Sequence, residues 1–530
     1  MAVGVWDLVE RRARFTPNWL CAIDEVGREL TFGELHDRGE RVAAALAELG
    51  VAPGVTVCWQ LPTWIESLVL VAALARLGAV QVPLLPIYRE RELRVAMTQA
   101  RPLVVVTPTV WRGFDHGSLW RRLGTEVFPS HPPTIVECDQ HLPECDDLGA
   151  LPYLDHARGN AGADRWVFFT SGTTGSPKGA RHTDDSIASG PAAFCERVGL
   201  TEMDRYPIIF PFTHIGGIGT LLAQLMTGAS AVLDEQFDAE RTIALLVERE
   251  ITIGAGGTPL VQLYLEHQRR HPGTPLFPDL RGCLTGAAPK PASLHDDVRH
   301  EMGGRGCISV YGLTESPFLT ISSLDDTDAD LAGTEGRAAA GAEIRIVGAD
   351  GPLNAPGDVG EIRVRGPQVC QGYLDTTLDA DAFDDDGFFR TGDLGSLDER
   401  GNLTIKGRIK DVIIRRGENI SALEVEHVLG AHPAVLDVAV LGLPDARTGE
   451  RCCAVVVLRA GTTVTMADVR AFGEAQGLAR QKLPEQLEIV DSMPRNATAK
   501  ILKHELRSRL LAEVPAGAAA NVTPGPDGVA

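Results

Sequence analysis

TSGTTGSPKGARHT, residues 170–183, packs three glycines, six hydroxyl side chains and a lysine into fourteen positions. That content suits a cradle for phosphate, because backbone amides in a glycine-rich turn and a nearby cation bind anions without a large positive surface. It is not a Walker A loop. That motif needs a glycine, four residues, then Gly-Lys followed by Ser or Thr. Counting from Gly172, Pro177 stands where the second glycine belongs, and Lys178 is followed by Gly179. The strand-like run WVFFT (166–170) leads directly into the stretch, which argues against a solvated linker.

Working outward, 530 residues exceed what one compact core accommodates, so at least two domains are expected. A hydrophobic content of 44% is that of a globular chain. The formal charge of −21 argues against a nucleic-acid partner, since neutralising a phosphate backbone requires a basic surface. Ten cysteines show no CxxC pair and no metal-ligand spacing, the pattern of reduced thiols in a cytoplasm. The start, MAVGVWDLVERRARF, lacks a signal-peptide pattern. The most apolar window, SLVLVAALARLGAVQVPLLP (67–86), is interrupted by Arg76, Gln81 and two prolines, so it predicts a buried helix and strand rather than a membrane span.

Residues 30–110 alternate helical stretches such as GELHDRGERVAAALAELG (33–50) with short apolar strands such as VTVCWQL (55–61), the texture of a parallel α/β architecture. The pattern returns over 166–310. From about residue 340, AEIRIVGADG, GEIRVRGP and GNLTIKGR show period-two alternation with glycine turns, predicting antiparallel hairpins or a small barrel. After Gly407 a strand, the helix ALEVEHVLGAH (422–432), two strands and a further helix make an α+β unit of about a hundred residues. The tail after residue 512, rich in Ala, Gly and Pro, is expected to be disordered.

Five segments in order, the loop at 170–179, VYGLTES (310–316), RTGDLG (390–395), KGRIKDVIIRRGENI (406–420) and PRNATAKILKHELR (494–507), resemble the core motifs of the adenylate-forming superfamily of acyl-CoA synthetases, luciferases and peptide-synthetase adenylation domains. The resemblance spans nearly the whole chain. It implies an α/β N-terminal domain over 1–409, built from two α/β subdomains and a small β-barrel, and a smaller mobile α+β C-terminal domain over 410–512. It also implies ATP, Mg²⁺ and coenzyme A as co-substrates or cofactors. Thr170, Ser171, Gly172, Thr173, Thr174, Gly175 and Lys178 would surround the β and γ phosphates. Gly286, Ala287, Ala288 and Pro289 would lie along one face of adenine, with Tyr311 and Gly312 on the other. Thr314 would hold the α-phosphate and Glu315 would carry Mg²⁺, a cation that prefers few protein carboxylates beside phosphate oxygens. Asp393 would accept the ribose hydroxyls with Arg408 beside it, and Lys410 would be the hinge between two domain poses. Lys500 would stabilise charge as the acid attacks. Gly417 and Arg416 would line the tunnel for the CoA thiol.

FPFTHIGGIG (210–219) resembles the motif closing the acyl pocket of acyl- and aryl-CoA synthetases, with His214 as its gate. No acidic residue lies between Tyr206 and Leu233, which argues against an amino-acid substrate, whose ammonium needs a carboxylate partner. CWQLPTW (58–64) and PIYRERELR (86–94) look like segments of cyclohexanecarboxylate-CoA ligases. Three departures stand out: Ala499 and Arg416 where glycine is common, and Ser421-Ala422 in place of an aromatic-proline pair. The resemblance implies an AMP-forming acid-CoA ligase acting on a small-molecule carboxylic acid, fatty, alicyclic or aromatic, in the cytoplasm, with a homodimer left open. The alternatives are an acyl-AMP ligase that loads a carrier protein and a non-catalytic nucleotide-binding scaffold.

Overall fold

The computed structural model describes residues 4–151, 162–170, 177–291, 293–416, 418–445, 447–495 and 500–512. The chain divides into two compact units, Met1–Lys406 and Gly407–Ala530.

The first unit is built on sheets covered by helices. One six-stranded sheet runs in the order Lys178–His182, Trp166–Thr170, Val80–Pro83, Thr56–Trp59, Val104–Thr107, Thr134–Glu137. All its neighbours are parallel except the first pair, a hairpin in which Lys178 faces Thr170. Parallel strands require crossovers, and helices such as Ile65–Leu77 and Glu90–Ala100 supply them. The apolar window at 67–86 is the former helix and the strand after it. The helix is buried on nearly every side and ends where Gly78 turns left-handed at φ 66°. Each fully buried Leu or Val there contributes about 1.5–3 kcal/mol relative to exposure. Among the described residues no helix is long and apolar enough to cross a membrane.

A second sheet orders Arg205–Ile208, Ser230–Leu233, Leu20–Ile23 and Glu29–Thr31. A third begins with three parallel strands, Ile253–Gly254, Gly282–Thr285 and Cys307–Leu313. It then reverses through the antiparallel pair Cys307–Leu313 and Ser316–Ile321. Where glycine-punctuated alternation predicts hairpins, a five-stranded sheet runs in the order Gly351–Leu353, Glu343–Gly348, Gly360–Arg365, Phe389–Leu397, Leu403–Arg408, and its first four strands pair antiparallel.

The second unit is α+β. Its sheet contains Glu418–Ser421, Val412–Arg415, Gly449–Leu458 and Val435–Asp445, with Gln486–Ile489 added in parallel to Gly449–Leu458. The helix Ala422–Gly430 starts at Ser421, whose hydroxyl accepts from the Glu424 amide at 3.2 Å. Ser421 therefore supplies a helix cap. All ten cysteines are free thiols, eight of them buried.

Candidate active site

Thr314 and Glu315 are the two residues between paired strands: Leu313 faces Ser316, so the pair forms the tip of a tight hairpin. Both turn carbonyls are tied down from outside. The Glu315 carbonyl accepts from the Cys370 amide at 2.8 Å, and the Thr314 carbonyl lies 2.9 Å from Nε2 of His182. A carbonyl only accepts, so Nε2 carries the proton, and Nδ1 is left to face the Ser186 hydroxyl at 2.9 Å. Burial pushes the His182 pKa down to about 4, and the ring stays neutral. Gly312, just before the turn, is required by space: a Cβ there would sit 2.7 Å from the Phe318 nitrogen.

The Glu315 side chain is also held. Its Oε1 accepts from the Tyr373 hydroxyl at 2.7 Å. Burial and the neighbouring Glu315 carboxylate raise the Tyr373 pKa, which keeps that hydroxyl a donor. Nζ of Lys178 lies 5.3 Å from the centre of the Tyr373 ring, within cation–π range. Tyr373 thus joins the lysine leaving the glycine-rich loop to the carboxylate of the turn. Thr170 ends the incoming strand and is half-buried; Ser171, Gly172, Thr173, Thr174 and Gly175 lie outside the described residues.

Gly286, Ala287, Ala288 and Pro289 follow the strand Gly282–Thr285. A Cβ at Gly286 would meet the Val310 carbonyl at 2.4 Å, so only glycine brings this loop so close to the Tyr311 strand. The hydroxyl of buried Thr258 lies 3.3 Å from the Gly286 carbonyl and 3.2 Å from that of Ala288. The far end is anchored by Lys290, whose buried ammonium donates to the Ser309 hydroxyl and to the carbonyls of Leu331 and Thr334. Tyr311 donates its hydroxyl to Oδ2 of Asp393 at 2.7 Å, and Asp393 is 5% exposed. The residues expected at adenine and at ribose are therefore in direct contact.

His214 caps the helix Ile215–Thr227, its Nδ1 accepting from the Gly216 amide at 3.1 Å. Burial lowers its pKa to about 4. A narrow cavity brings His214 and Thr314 together, with Pro83, Leu85, Tyr88, Phe168, Phe169, Thr213 and Ile215 completing its wall. Among the described residues no formally charged side chain lines it.

In the second unit Arg408 is half-buried, while Lys410, Arg416 and Lys500 are exposed. Arg416 has φ 50°, a left-handed backbone that favours glycine, the residue that the resemblance leads one to expect at this position. Gly417 and Ala499 lie outside the described residues.

Residues 9–374 match the family described as AMP-binding enzyme, and residues 424–500 match the AMP-binding enzyme C-terminal domain. The chain belongs to the AMP-binding enzymes. Among relatives of this AMP-binding enzyme is the medium-chain fatty-acid–CoA ligase of Escherichia coli K12, 33% identical over 526 residues, covering 96% of this chain and 92% of the relative. The salicyl-AMP ligase / salicyl-S-ArCP synthetase of Mycobacterium tuberculosis is 32% identical over 535 residues, covering 96% and 92%. The ATP-bound crystal structure of MatB from Rhodopseudomonas palustris matches with a TM-score of 0.82 at 29% identity, covering 95% of this chain and 98% of that one. The adenylate-forming fold, a large α/β N-terminal domain with a small C-terminal domain, is thereby shown.

Sequence reasoning overlooked three residues that shape the site: Tyr373, His182 and Thr258. His182 lies inside the opening stretch, but its partner Thr314 is 132 residues away, so the stretch itself does not signal the contact. Tyr373 and Thr258 left no local one, because their partners are distant in the chain.

Proposed function

We propose that this enzyme is an AMP-forming acid-CoA ligase. The observation that carries the reading is the convergence of the pinned Thr314-Glu315 turn, the Tyr311–Asp393 pair and the apolar cavity beside His214. In the first half-reaction an oxygen of the substrate carboxylate attacks the α-phosphorus of ATP. The bond to the bridging oxygen breaks, pyrophosphate leaves with the electron pair, and an acyl adenylate remains. In the second, the CoA thiolate attacks the acyl carbon and AMP departs, leaving the thioester.

Thr170 and Lys178, with Ser171, Gly172, Thr173, Thr174 and Gly175, hold the departing pyrophosphate. Gly286 to Pro289, Tyr311 and Gly312 bracket adenine, and Asp393 with Arg408 takes the ribose. Thr314 holds the α-phosphate. Glu315 has the chemistry to hold Mg²⁺: a single carboxylate with one oxygen engaged by Tyr373. Among the described residues no group of three ligating side chains exists that would form an all-protein cage. Mg²⁺, when bound, would offset phosphate charge there. Lys500 stabilises charge developing during the first step, Lys410 is the hinge of a mobile domain over 410–512, and Gly417 with Arg416 borders the path of the thiol.

Neutral His214 and the uncharged lining among the described residues support an acid whose acyl group is uncharged and apolar. The free thiols suit a reducing compartment such as the cytoplasm. A second reading, transfer of the acyl group to a carrier protein, is favoured by the likeness to salicyl-AMP ligase / salicyl-S-ArCP synthetase.

The test is pyrophosphate release over straight-chain acids from butanoate to dodecanoate, benzoate and cyclohexanecarboxylate, with and without CoA. AMP and acyl-CoA are expected in equal amounts. Acyl adenylate accumulating unchanged in the presence of CoA would favour the carrier-protein reading. Stoichiometric ADP would overturn adenylation altogether.

A further inference from the structure

The segment Gln60–Thr63, within CWQLPTW, has no role assigned above, and its two polar side chains are buried, at 0% and 3% exposure. The Gln60 amide is fully engaged. Its Nε2 donates to the carbonyls of Leu85 at 3.0 Å and Tyr88 at 3.2 Å. Its Oε1 accepts from Nε1 of Trp120 at 2.8 Å and Nδ1 of His116 at 3.2 Å. Two donors and two acceptors are all that a carboxamide offers. The Thr63 hydroxyl donates to the Phe210 carbonyl at 3.1 Å and accepts from the Phe212 amide at 3.2 Å. The backbone between them is fixed as well, since Ser67 donates to the Pro62 carbonyl at 2.6 Å.

These bonds hold two of the loops that line the cavity beside Thr314. Leu85 and Tyr88 come from the loop held by Gln60; Thr213, His214 and Ile215 follow directly on the turn held by Thr63. Four residues therefore anchor both of these parts of its wall. We infer that Gln60 and Thr63 are positioning residues for the acid-binding cavity: without touching the acid, they fix its width and so the acids it admits. This rests on the acid-CoA ligase reading, with the cavity as the acyl site.

The test is steady-state kinetics of the full chain in the series Thr63→Ser, Thr63→Cys and Thr63→Val, on the straight-chain acids and the two cyclic ones named above. A purely structural lesion lowers kcat or weakens both substrates together. A displaced wall acts on the acid alone. KM for the acid should rise in the order Ser, Cys, Val, with Val about tenfold above wild type, the scale of one lost buried hydrogen bond. KM for ATP should stay within about twofold, a shift too small to signal a lost contact. The acid giving the highest kcat/KM should also change. Gln60→Met, acting on the other wall, should raise acid KM in the same way. Should Thr63→Val fail to fold, the step from Ser to Cys carries the comparison. Equal rises in both KM values, or an unchanged acid KM and acid preference throughout the series, would overturn the inference while leaving the ligase reading intact. A wild type releasing no pyrophosphate with any of these acids would overturn both.

Discussion

The two units present their candidate residues in opposite ways. In the first, the Thr314-Glu315 turn is fixed through both carbonyls and one carboxylate oxygen, by Cys370, His182 and Tyr373. In the second, Lys410 lies in the short turn Ile409–Asp411, and Arg416 and Lys500 are exposed. A preorganised receptor gains from rigid partners, because donors fixed in advance need no reorganisation as charge develops. On the reading proposed above, the first-unit residues bind throughout, whereas Lys500 of the second unit acts in the first half-reaction alone.

The sharpest way to break that contrast is Lys500→Ala. Adenylation, read by isotope exchange between pyrophosphate and ATP, should fall about a hundred- to a thousandfold, roughly 3–4 kcal/mol of barrier. Thioester formation from added acyl adenylate should persist. Equal loss of both half-reactions would mean that the second unit does not act in turns.

A smaller effect should follow in the first unit from Tyr373→Phe, which keeps the ring beneath Lys178 but removes the hydroxyl from Glu315. Hydrogen bonds to charged groups contribute about 1.5–3 kcal/mol, so adenylation should slow roughly ten- to a hundredfold, with more Mg²⁺ needed for half-maximal rate. Unchanged rate and unchanged Mg²⁺ dependence would show that the rigidity of the turn is incidental.

Acidity probes the same difference without mutation. His116, His182 and His214, all in the first unit, are held near pKa 4, chiefly by burial, with the Arg89 charge adding to the effect at His116. An unfolded histidine titrates near 6.5. Between those values the unfolded chain binds more protons, so this stabilisation is complete above about pH 6.5 and is lost as pH falls toward about 4. Calorimetry at pH 7 and pH 6 should show the first unit's melting temperature falling with acid. A melting temperature that rises on acidification would contradict the buried, neutral state of these rings.

The smallest change expected is in the second unit. Arg416→Gly relieves a left-handed backbone while loosening the unfolded chain, for a net gain of about 1 kcal/mol or less. The Arg416 amide would keep its 2.8 Å bond to the Thr448 carbonyl. Urea denaturation reads the outcome, and destabilisation would show that the arginine side chain makes a compensating contact.

The alternation of helices and apolar strands over 30–110 led directly to the parallel sheet, and the period-two hairpins after residue 340 led to the antiparallel one. Both patterns are local: a strand's side-chain period and a helix's capping depend on residues within a few positions. The chemical types of the candidate site were legible for the same reason, since glycine loops, the TES and TGD turns and the FPFTH segment are contiguous. What no local pattern carried was their bracing. Tyr373 meets Glu315 across 58 residues of chain, His182 meets Thr314 across 132, and Thr63 meets Phe210 across 147. Such pairs depend on which strands become neighbours and how far apart packed layers settle, a property of the assembled core. The sequence alone thus determined the family, the fold class and the residue types offered to a nucleotide and an acid. Only the tertiary structure decided which buried side chains hold those residues in place, because a hydrogen bond between distant segments exists only once packing has brought donor and acceptor within about 3 Å.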